Sequence, residues 1–162
     1  MATDYPATAE QVHRALCDEG YWLARLADSG ADEATLDVLE ISDGGGVTVV
    51  TTQVLRSERL PGVVTQFHRG DLAIQREERW TALVDGRAGA DVSGSISDAP
   101  VAVRGTAALQ PHDKASRLAY CATVEVRVPL VGGKLEKFIG NQLMALVEAE
   151  QRFTTSWIDG SR

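Results

Sequence analysis

Residues 118–134 read LAYCATVEVRVPLVGGK, and this stretch decides the fold. Apolar residues alternate with polar or small ones from Leu118 to Val128, which predicts a strand with one buried face. Pro129 lacks a backbone N–H and is expected to end the strand. The Gly132-Gly133 pair then predicts a turn, because glycine adopts backbone conformations that other residues avoid.

A helical pattern follows this turn and runs from Lys134 to about Ile158. At 1.5 Å per residue this predicts a helix of about 36 Å, roughly twice the mean length. A helix of this length, placed after many strands, is expected to lie across the concave side of a curved sheet. Its predicted apolar stripe comprises Leu135, Ile139, Leu146, Phe153 and Trp157.

Signals for shorter elements precede this stretch. Thr8-Ala9-Glu10-Gln11 has the pattern of a capping box for a helix through Cys17, and Asp18 is expected to cap a second short helix. Asp43-Gly44-Gly45-Gly46 and Asp85-Gly86 then predict hairpin turns. Strands are expected at residues 3–5, 35–42, 47–56, 72–83, 87–96, 101–110 and 118–128.

Length and composition indicate one ordinary globular domain. The 162 residues contain no repeat or linker, so a single domain over residues 1–162 is predicted. A net charge of −7 without a basic cluster disfavours partners such as nucleic acid or anionic membrane.

Because neither a signal peptide nor a membrane-spanning run is visible, we expect a cytoplasmic protein without membrane insertion. Cys17 and Cys121 are therefore expected to be reduced, semi-buried thiols.

The order of elements resembles the START-like (SRPBCC) superfamily, and three motifs resemble an uncharacterised actinobacterial family within it. The most specific motif lies at residues 126–136, and the others lie at residues 5–12 and 75–80. The resemblance implies an α+β helix-grip fold with a curved antiparallel sheet of about six or seven strands. That sheet would wrap around a long C-terminal helix, with two short helices after the first strand. Members of the superfamily bind lipids, sterols and polyketides or act as cyclases, so the resemblance implies a cavity but no catalytic motif.

Two charges fall on the predicted inner face of the strand at residues 72–83. Arg76 and Glu78 share a side with Leu72, Ile74 and Trp80, which are the bulkiest apolar residues of that strand. Charges directed at the interior must pair, reach water or meet a polar ligand. A bulge that reverses the alternation, or an exposed strand end, would instead leave both charges in solvent.

Other polar residues also fall at positions expected to be buried. Tyr120 lies on the apolar face of the last strand, Gln142 lies within the stripe of the long helix, and Glu150 lies at its edge. A buried phenol or amide needs a hydrogen-bond partner, which is a ligand, an internal group or water. The predicted ligand-contact residues are Arg76, Glu78, Trp80, Tyr120, Val124, Ile139, Gln142 and Leu146. The aromatic residues expected to form plain core are Phe67, Trp80, Phe138, Phe153 and Trp157.

Motifs for phosphate, metal or nucleophilic chemistry are incomplete. The segment around Gly132-Gly133-Lys134 has Val128 where a phosphate-binding loop has its first glycine, and Leu135 replaces the hydroxyl residue. His13 and Cys17 lie one helical turn apart, but two ligands do not make a metal site. We therefore expect no catalytic residue, no metal and no cofactor.

Our leading hypothesis is binding of a small hydrophobic, lipid- or polyketide-like molecule between the sheet and the C-terminal helix. One alternative is a polyketide cyclase or aromatase, with Arg76, Glu78 and Tyr120 as acid–base candidates. A second alternative is a protein-interaction module whose core is filled by its own side chains. The sequence predicts neither the ligand's identity nor the oligomeric state.

Overall fold

The computed structural model describes residues 1–66, 68–130 and 132–160. Seven antiparallel strands form one curved sheet in the order β1-β7-β6-β5-β4-β3-β2, and a long helix packs against it. The predicted α+β helix-grip fold is therefore confirmed. The elements are β1 (Ala2–Tyr5), α1 (Ala9–Leu16), α2 (Glu19–Asp28), β2 (Glu33–Ile41), β3 (Val47–Leu55), α3 (Gly62–Thr65), β4 (Leu72–Trp80), β5 (Ala88–Ile96), β6 (Val101–His112), β7 (Ala115–Val126) and α4 (Gly132–Gly160).

Side-chain caps begin both N-terminal helices, as predicted. The Thr8 hydroxyl accepts a hydrogen bond from the Gln11 N–H, and the Gln11 amide oxygen accepts one from the Thr8 N–H. Oδ1 of Asp18 accepts a hydrogen bond from the N–H of Gly20 at 2.8 Å and begins α2. Helix α1 contacts β6 and β7, whereas α2 contacts β2, so the two helices cover one end of the concave face.

The hydrophobic core lies under these two helices. Tyr21 and Trp22 of α2 are its largest fully buried side chains, and their rings meet edge to face with 5.3 Å between centroids. The indole N–H of Trp22 donates a hydrogen bond to the carbonyl oxygen of Leu16 at 2.9 Å. From the sheet, the core includes Val47, Val49, Trp80, Ala90, Leu109 and Leu118.

Strand β4 keeps its alternation over its whole length. It pairs with β3 and β5 without a register shift, so the alternative of a bulge that reverses its faces is wrong. Arg76 and Glu78 therefore point to the interior together with Trp80. The strand ends at Trp80 rather than at Leu83, and Val84 and Arg87 form an isolated bridge beyond it.

The β6–β7 hairpin extends further toward its turn than the pattern predicts. Pro111 and His112 belong to β6, and only Asp113 and Lys114 form the turn. Proline is tolerated there because β6 pairs with β5 only as far as Leu109, so one side of the strand has no ladder to break.

The connection between β3 and β4 also differs from the sequence prediction. Residues 57–65 hold a 3₁₀ turn and the short helix α3, although no helix is predicted between the strands expected at residues 47–56 and 72–83. Phe67, expected to be core, lies outside the described residues.

Helix α4 begins earlier than predicted and ends slightly later, at Gly160. Gly132 is buried in its first turn, so the prediction that the glycine pair forms the turn is wrong. A Cβ at position 132 would lie 2.9 Å from the carbonyl oxygen of Val126, which explains the glycine by close approach. The chain direction changes before the helix, where Leu130 has a left-handed φ of 68°.

The buried face of α4 is rotated relative to the predicted stripe. Leu135 is buried as predicted, but the other buried side chains lie one position after predicted ones, and Leu146, Phe153 and Trp157 are only half-buried. The rotation fits the packing of α2, because the hydroxyls of Tyr21 and Thr154 are hydrogen-bonded at 2.7 Å. After Leu135, the buried residues of α4 are Val147, Thr154 and Ile158.

Both cysteines are free thiols. Cys17 is half-buried, and burial raises the pKa of its thiol. Cys121 is exposed, so the expectation that both thiols are semi-buried is wrong for this residue. Within the described ranges, no helix combines the length and the apolar character needed to cross a membrane.

Candidate functional site

Four charged side chains meet between the sheet and α4, and we call them the charge cluster: Arg25, Arg76, Glu78 and Glu150. Helix α2 contributes Arg25, which lies one turn after the buried Tyr21. Strand β4 contributes the inward pair, and α4 contributes Glu150. Each member comes from an element that borders the concave side of the sheet, so the charges converge there.

Ion pairs link all four members. Glu150 lies between the two arginines, with Oε2 2.5 Å from Nη2 of Arg25 and Oε1 2.6 Å from Nη1 of Arg76. Nη2 of Arg76 also lies 2.6 Å from Oε1 of Glu78. The four side chains are only 3–19% exposed, so each charge depends on its partners. Two guanidinium groups and two carboxylates leave the cluster with no net charge.

Glu78 is the most deeply buried member. Its Oε2 accepts a hydrogen bond from the indole N–H of Trp80 at 2.8 Å. Its Oε1 has its charge balanced by Arg76 but accepts no well-oriented hydrogen bond from any described residue. The reason is geometric, because Nη2 of Arg76 directs its hydrogen bonds to Glu150 at 3.2 Å and to Tyr120 at 3.3 Å.

The Tyr120 hydroxyl extends the cluster toward β7. Its oxygen accepts the hydrogen bond from Arg76, which leaves its own O–H free to donate. Within the part of the chain that the structure describes, no acceptor takes this proton. Oε1 of Glu78, in contrast, is enclosed by the protein and faces the guanidinium groups of Arg76 and Arg25.

The charges of Arg25, Arg76 and Glu150 are stable around neutral pH. Burial opposes ionisation of Glu150, but Arg25 and Arg76 more than compensate and lower its pKa to about 2. Burial also disfavours the charged form of both arginines, yet the neighbouring carboxylates raise their pKa values. For Tyr120, burial raises the pKa, so the phenol keeps its proton.

A pocket of about 80 Å³ opens beside the charge cluster, between α2, β3, β4 and α4. The cluster forms its polar wall, while Trp22, Leu146 and Phe153 supply apolar contacts. Since one water needs roughly 10–15 Å³ of such volume, the pocket holds a few waters or a small head group. It is smaller than the roughly 300–1,000 Å³ of sites for drug-sized ligands.

An apolar surface, which we call the open inner face, occupies the other end of the concave side. It consists of Ile74, Val103, Ala122 and Val124, which share the inward side of their strands. Three of these side chains are half-buried and Ala122 is exposed. Ile139 on α4, one turn after the buried Leu135, is half-buried as well. Helix α4 therefore leaves this part of the sheet partly uncovered.

The structure brings together only part of the predicted ligand-contact set. Leu146 lines the pocket, while Val124 and Ile139 lie outside its lining. Gln142 is exposed, so the expectation of a buried amide is wrong at this position. Direct polar contacts link Arg76, Glu78, Trp80 and Tyr120.

Arg25 is not among the site residues that the sequence predicts. A usable signal was its spacing of one helical turn from Tyr21, on the side of α2 that is buried. Its guanidinium lies 4.7 Å from the ring centroid of Trp22, a cation–π contact that holds it in place. Glu150 lies at the edge of the predicted stripe, but its arginine partners are too far away in sequence to be predicted from a pattern.

Helix α1 carries a separate polar contact. Nε2 of His13 lies 3.0 Å from the carbonyl oxygen of Thr81, and Sγ of Cys17 lies 3.9 Å from Nδ1 of His13. Among the described residues, no three potential metal-ligating side chains come together, here or elsewhere.

Fold and site together define a helix-grip protein with a charge-paired interior and a small internal pocket. By sequence, the chain belongs to the family described as "Protein of unknown function (DUF2505)", whose model matches residues 1–158. It is 49% identical to uncharacterized protein Rv0481c of Mycobacterium tuberculosis (strain ATCC 25618 / H37Rv), with 98% of this chain and 94% of the relative covered. The same figures hold for uncharacterized protein Mb0491c of Mycobacterium bovis.

Solved structures share the fold at low sequence identity. A conserved protein from Geobacillus kaustophilus superposes with a TM-score of 0.56 at 16% identity, covering 99% of this chain and 93% of that chain. Protein Ms6760 from Mycobacterium smegmatis superposes with a TM-score of 0.57 at 11% identity, covering 99% of this chain and 90% of that chain. At these identities the likeness concerns the fold alone.

Proposed function

We propose that the protein binds a small amphiphilic, lipid- or polyketide-like molecule between the sheet and α4. The observation that carries the proposal is the open inner face, where apolar side chains of the concave side of the sheet stay partly uncovered. Monomeric proteins normally bury contiguous apolar surface, and exceptions often mark binding sites. The resemblance of the sequence to the START-like superfamily, whose members bind such ligands, supports the same function.

The size of the pocket indicates which part of the proposed ligand it could hold. A volume of about 80 Å³ suits a polar end group next to the charge cluster. The apolar part would then lie along the open inner face, where Ile74, Val103 and Val124 offer aliphatic contacts. Burial of apolar surface on both sides would supply most of the binding free energy, at roughly 25 cal/mol per Å² before the costs of association.

The geometry favours binding over acid–base catalysis by the cyclase alternative. A general acid or base works best with a pKa near the working pH. Among the acid–base candidates, burial raises the pKa of Tyr120, and, although burial opposes its charged form, the neighbouring carboxylates raise the pKa of Arg76, so both groups move away from neutrality. A protein-interaction module with a filled core is less favoured, because the open inner face is not filled.

A fluorescence titration with the uncharged apolar probe N-phenyl-1-naphthylamine tests the proposal. We expect micromolar binding to the folded protein, on the order of −8 kcal/mol. Ala122→Trp places a large ring on the open inner face and should weaken probe binding about tenfold or more. Thr123→Trp, on the exposed outer face of the same strand, is the matched control and should bind normally.

Thermal melts of both variants separate blocked binding from lost folding. Neither position is buried, so both proteins should keep nearly the parent melting temperature. No probe binding to the folded parent, or equal loss of binding in the two variants, would refute a site on the inner face.

A further inference from the structure

We infer that the hydroxyl of Thr51 binds the polar end of the ligand, and that this end is an uncharged group with an oxygen acceptor, such as a ketone or an alcohol. The inference rests on the proposed function and names its ligand class. Thr51 belongs to β3 and lines the pocket beside the charge cluster. The class leaves out both carboxylates and ammonium groups.

Thr51 is a buried residue with an unpaired hydroxyl. Its side chain points to the concave side, because it alternates with the core residues Val47 and Val49 and is paired with Arg76. Only 7% of the residue is exposed, and its hydroxyl forms no hydrogen bond with any described residue. Unlike Oε1 of Glu78, its Oγ1 is not fully enclosed, so it can be reached from the pocket that the residue lines. Buried hydroxyls normally have a partner, and this one is free to bind a ligand.

The unpaired hydroxyl calls for a ligand that accepts a hydrogen bond. Both oxygens of Glu150 face arginines, and Oε2 of Glu78 accepts from the indole of Trp80, so these acceptors are occupied. A buried donor without an acceptor costs free energy, whereas unused lone pairs on oxygen are tolerated more often. A ligand oxygen that accepts from Thr51 removes this cost, and a ketone and an alcohol both supply one.

The charges on the pocket wall disfavour an ionic end group. Arg25 and Arg76 are balanced by Glu78 and Glu150, and Asp28 adds one more negative charge to the lining. A ligand carboxylate therefore meets an excess of negative charge. An ammonium group meets two guanidinium groups and cannot accept a hydrogen bond. An uncharged group avoids both repulsions and loses less hydration than either ion.

The floor of the pocket continues into the open inner face. Gln53 lines the pocket and is paired in register with Ile74. Arg76 is paired with Gly94, which has no side chain, and Gly94 is paired with Val103. Paired residues present their side chains on the same face of a sheet, and Ile74 and Val103 belong to the open inner face. A molecule with its end group in the pocket can therefore extend its apolar body over this face.

A matched ligand series tests the end group without altering the protein. 2-Decanone, decylamine and decanoate share one chain length and compete at neutral pH for bound N-phenyl-1-naphthylamine. We expect 2-decanone to displace half of the probe at about one-tenth of the concentration that either ion needs. Decanoate or decylamine as potent as 2-decanone would overturn the inference.

A pair of isosteric variants tests the contact. Thr51→Val removes only the hydroxyl and should raise the 2-decanone concentration needed for displacement about three- to tenfold, while the affinity for the probe stays the same. Thr48→Val, on the outer side of the same strand, is the matched control and should leave both values unchanged. Equal potency of 2-decanone on Thr51→Val and on the parent would contradict the assigned contact.

Thermal melts of the same variants give a second readout. Because the Thr51 hydroxyl has no partner among the described residues, Thr51→Val should melt at the temperature of the parent or above it. A clearly lower melting temperature would show that the hydroxyl is bonded within the protein, and would overturn the inference. Failure of the probe to bind the parent would instead refute the proposed function.

Discussion

Arg76 is the residue on which the charge cluster depends most, and its removal should destabilise the protein strongly. Arg76→Met keeps the length of the stem but takes the only close cation from Glu78, whose other arginine, Arg25, is 3.8 Å away. Breaking a buried ion pair costs about 3–5 kcal/mol. Because Arg76 is 19% exposed, we expect the free energy of unfolding to fall by the lower end of this range, about 3 kcal/mol. For a domain of this size that corresponds to roughly 6–12 °C in melting temperature.

The same strand provides the control. Arg79 lies on the outer face of β4, is 68% exposed and pairs with Glu77 at 2.5 Å. Exposed ion pairs contribute about 0–1 kcal/mol, so Arg79→Met should shift the melting temperature by only a few degrees. Urea and thermal unfolding followed by circular dichroism measure both variants, and equal shifts for them would refute the assignment of Arg76 to a buried cluster.

A double variant distinguishes two causes of destabilisation, which are the loss of the Arg76 contacts and the burial of an unpaired charge on Glu78. Arg76→Met with Glu78→Gln removes both charges, and the glutamine can still accept from the indole of Trp80. The pair of Arg25 with Glu150 stays intact and neutral. We therefore expect the double variant to be more stable than Arg76→Met alone by about 1–2 kcal/mol. A double variant that is less stable than the single one would show that unpaired charge is not the source of the loss.

Two further predictions concern pH and the start of α4. The pKa of Glu150 is about 2 in the folded protein against a usual 4.5, so an unfolded chain takes up this proton first as pH falls. The stability advantage of the parent over Glu150→Gln should thus be full above about pH 5 and shrink towards pH 2; a pH-independent difference would contradict the ion pairs. Gly132→Ala should destabilise, because its Cβ meets the Val126 carbonyl, whereas Gly133→Ala enters open space and should stabilise by up to about 1 kcal/mol. Urea melts compare these two variants, and equal stability would contradict the close packing at position 132.

Local sequence patterns accounted for most of the fold. The two-residue period at 118–128 and in β4 predicted both strands and their inward faces, since side chains of a strand alternate by geometry. The predicted end at Val128 is wrong, because β7 already ends at Val126. The caps at Thr8 and Asp18 predicted two helix starts, because a cap involves residues only two or three positions apart. These features depend on neighbours along the chain, so they can be read before any tertiary contact is known.

The candidate site was only half predictable. The alternation of β4 directed Arg76 and Glu78 inward, but it left open whether they were paired or solvated. Their pairing with Glu150, and the arrival of Arg25 from α2, require elements that lie far apart in sequence to pack on the same concave side.

The sequence by itself thus determined which residues alternate, cap and break elements, and from these the helix-grip order. Only the tertiary structure decided the rotation of α4, the burial of Gly132 against Val126 and the exposure of Gln142. The physical reason is that a helical wheel defines a broad apolar side, while α2 and the sheet select which part of that side is covered. Charge pairing follows the same rule, because an ion pair depends on distance in space and leaves no period in the sequence.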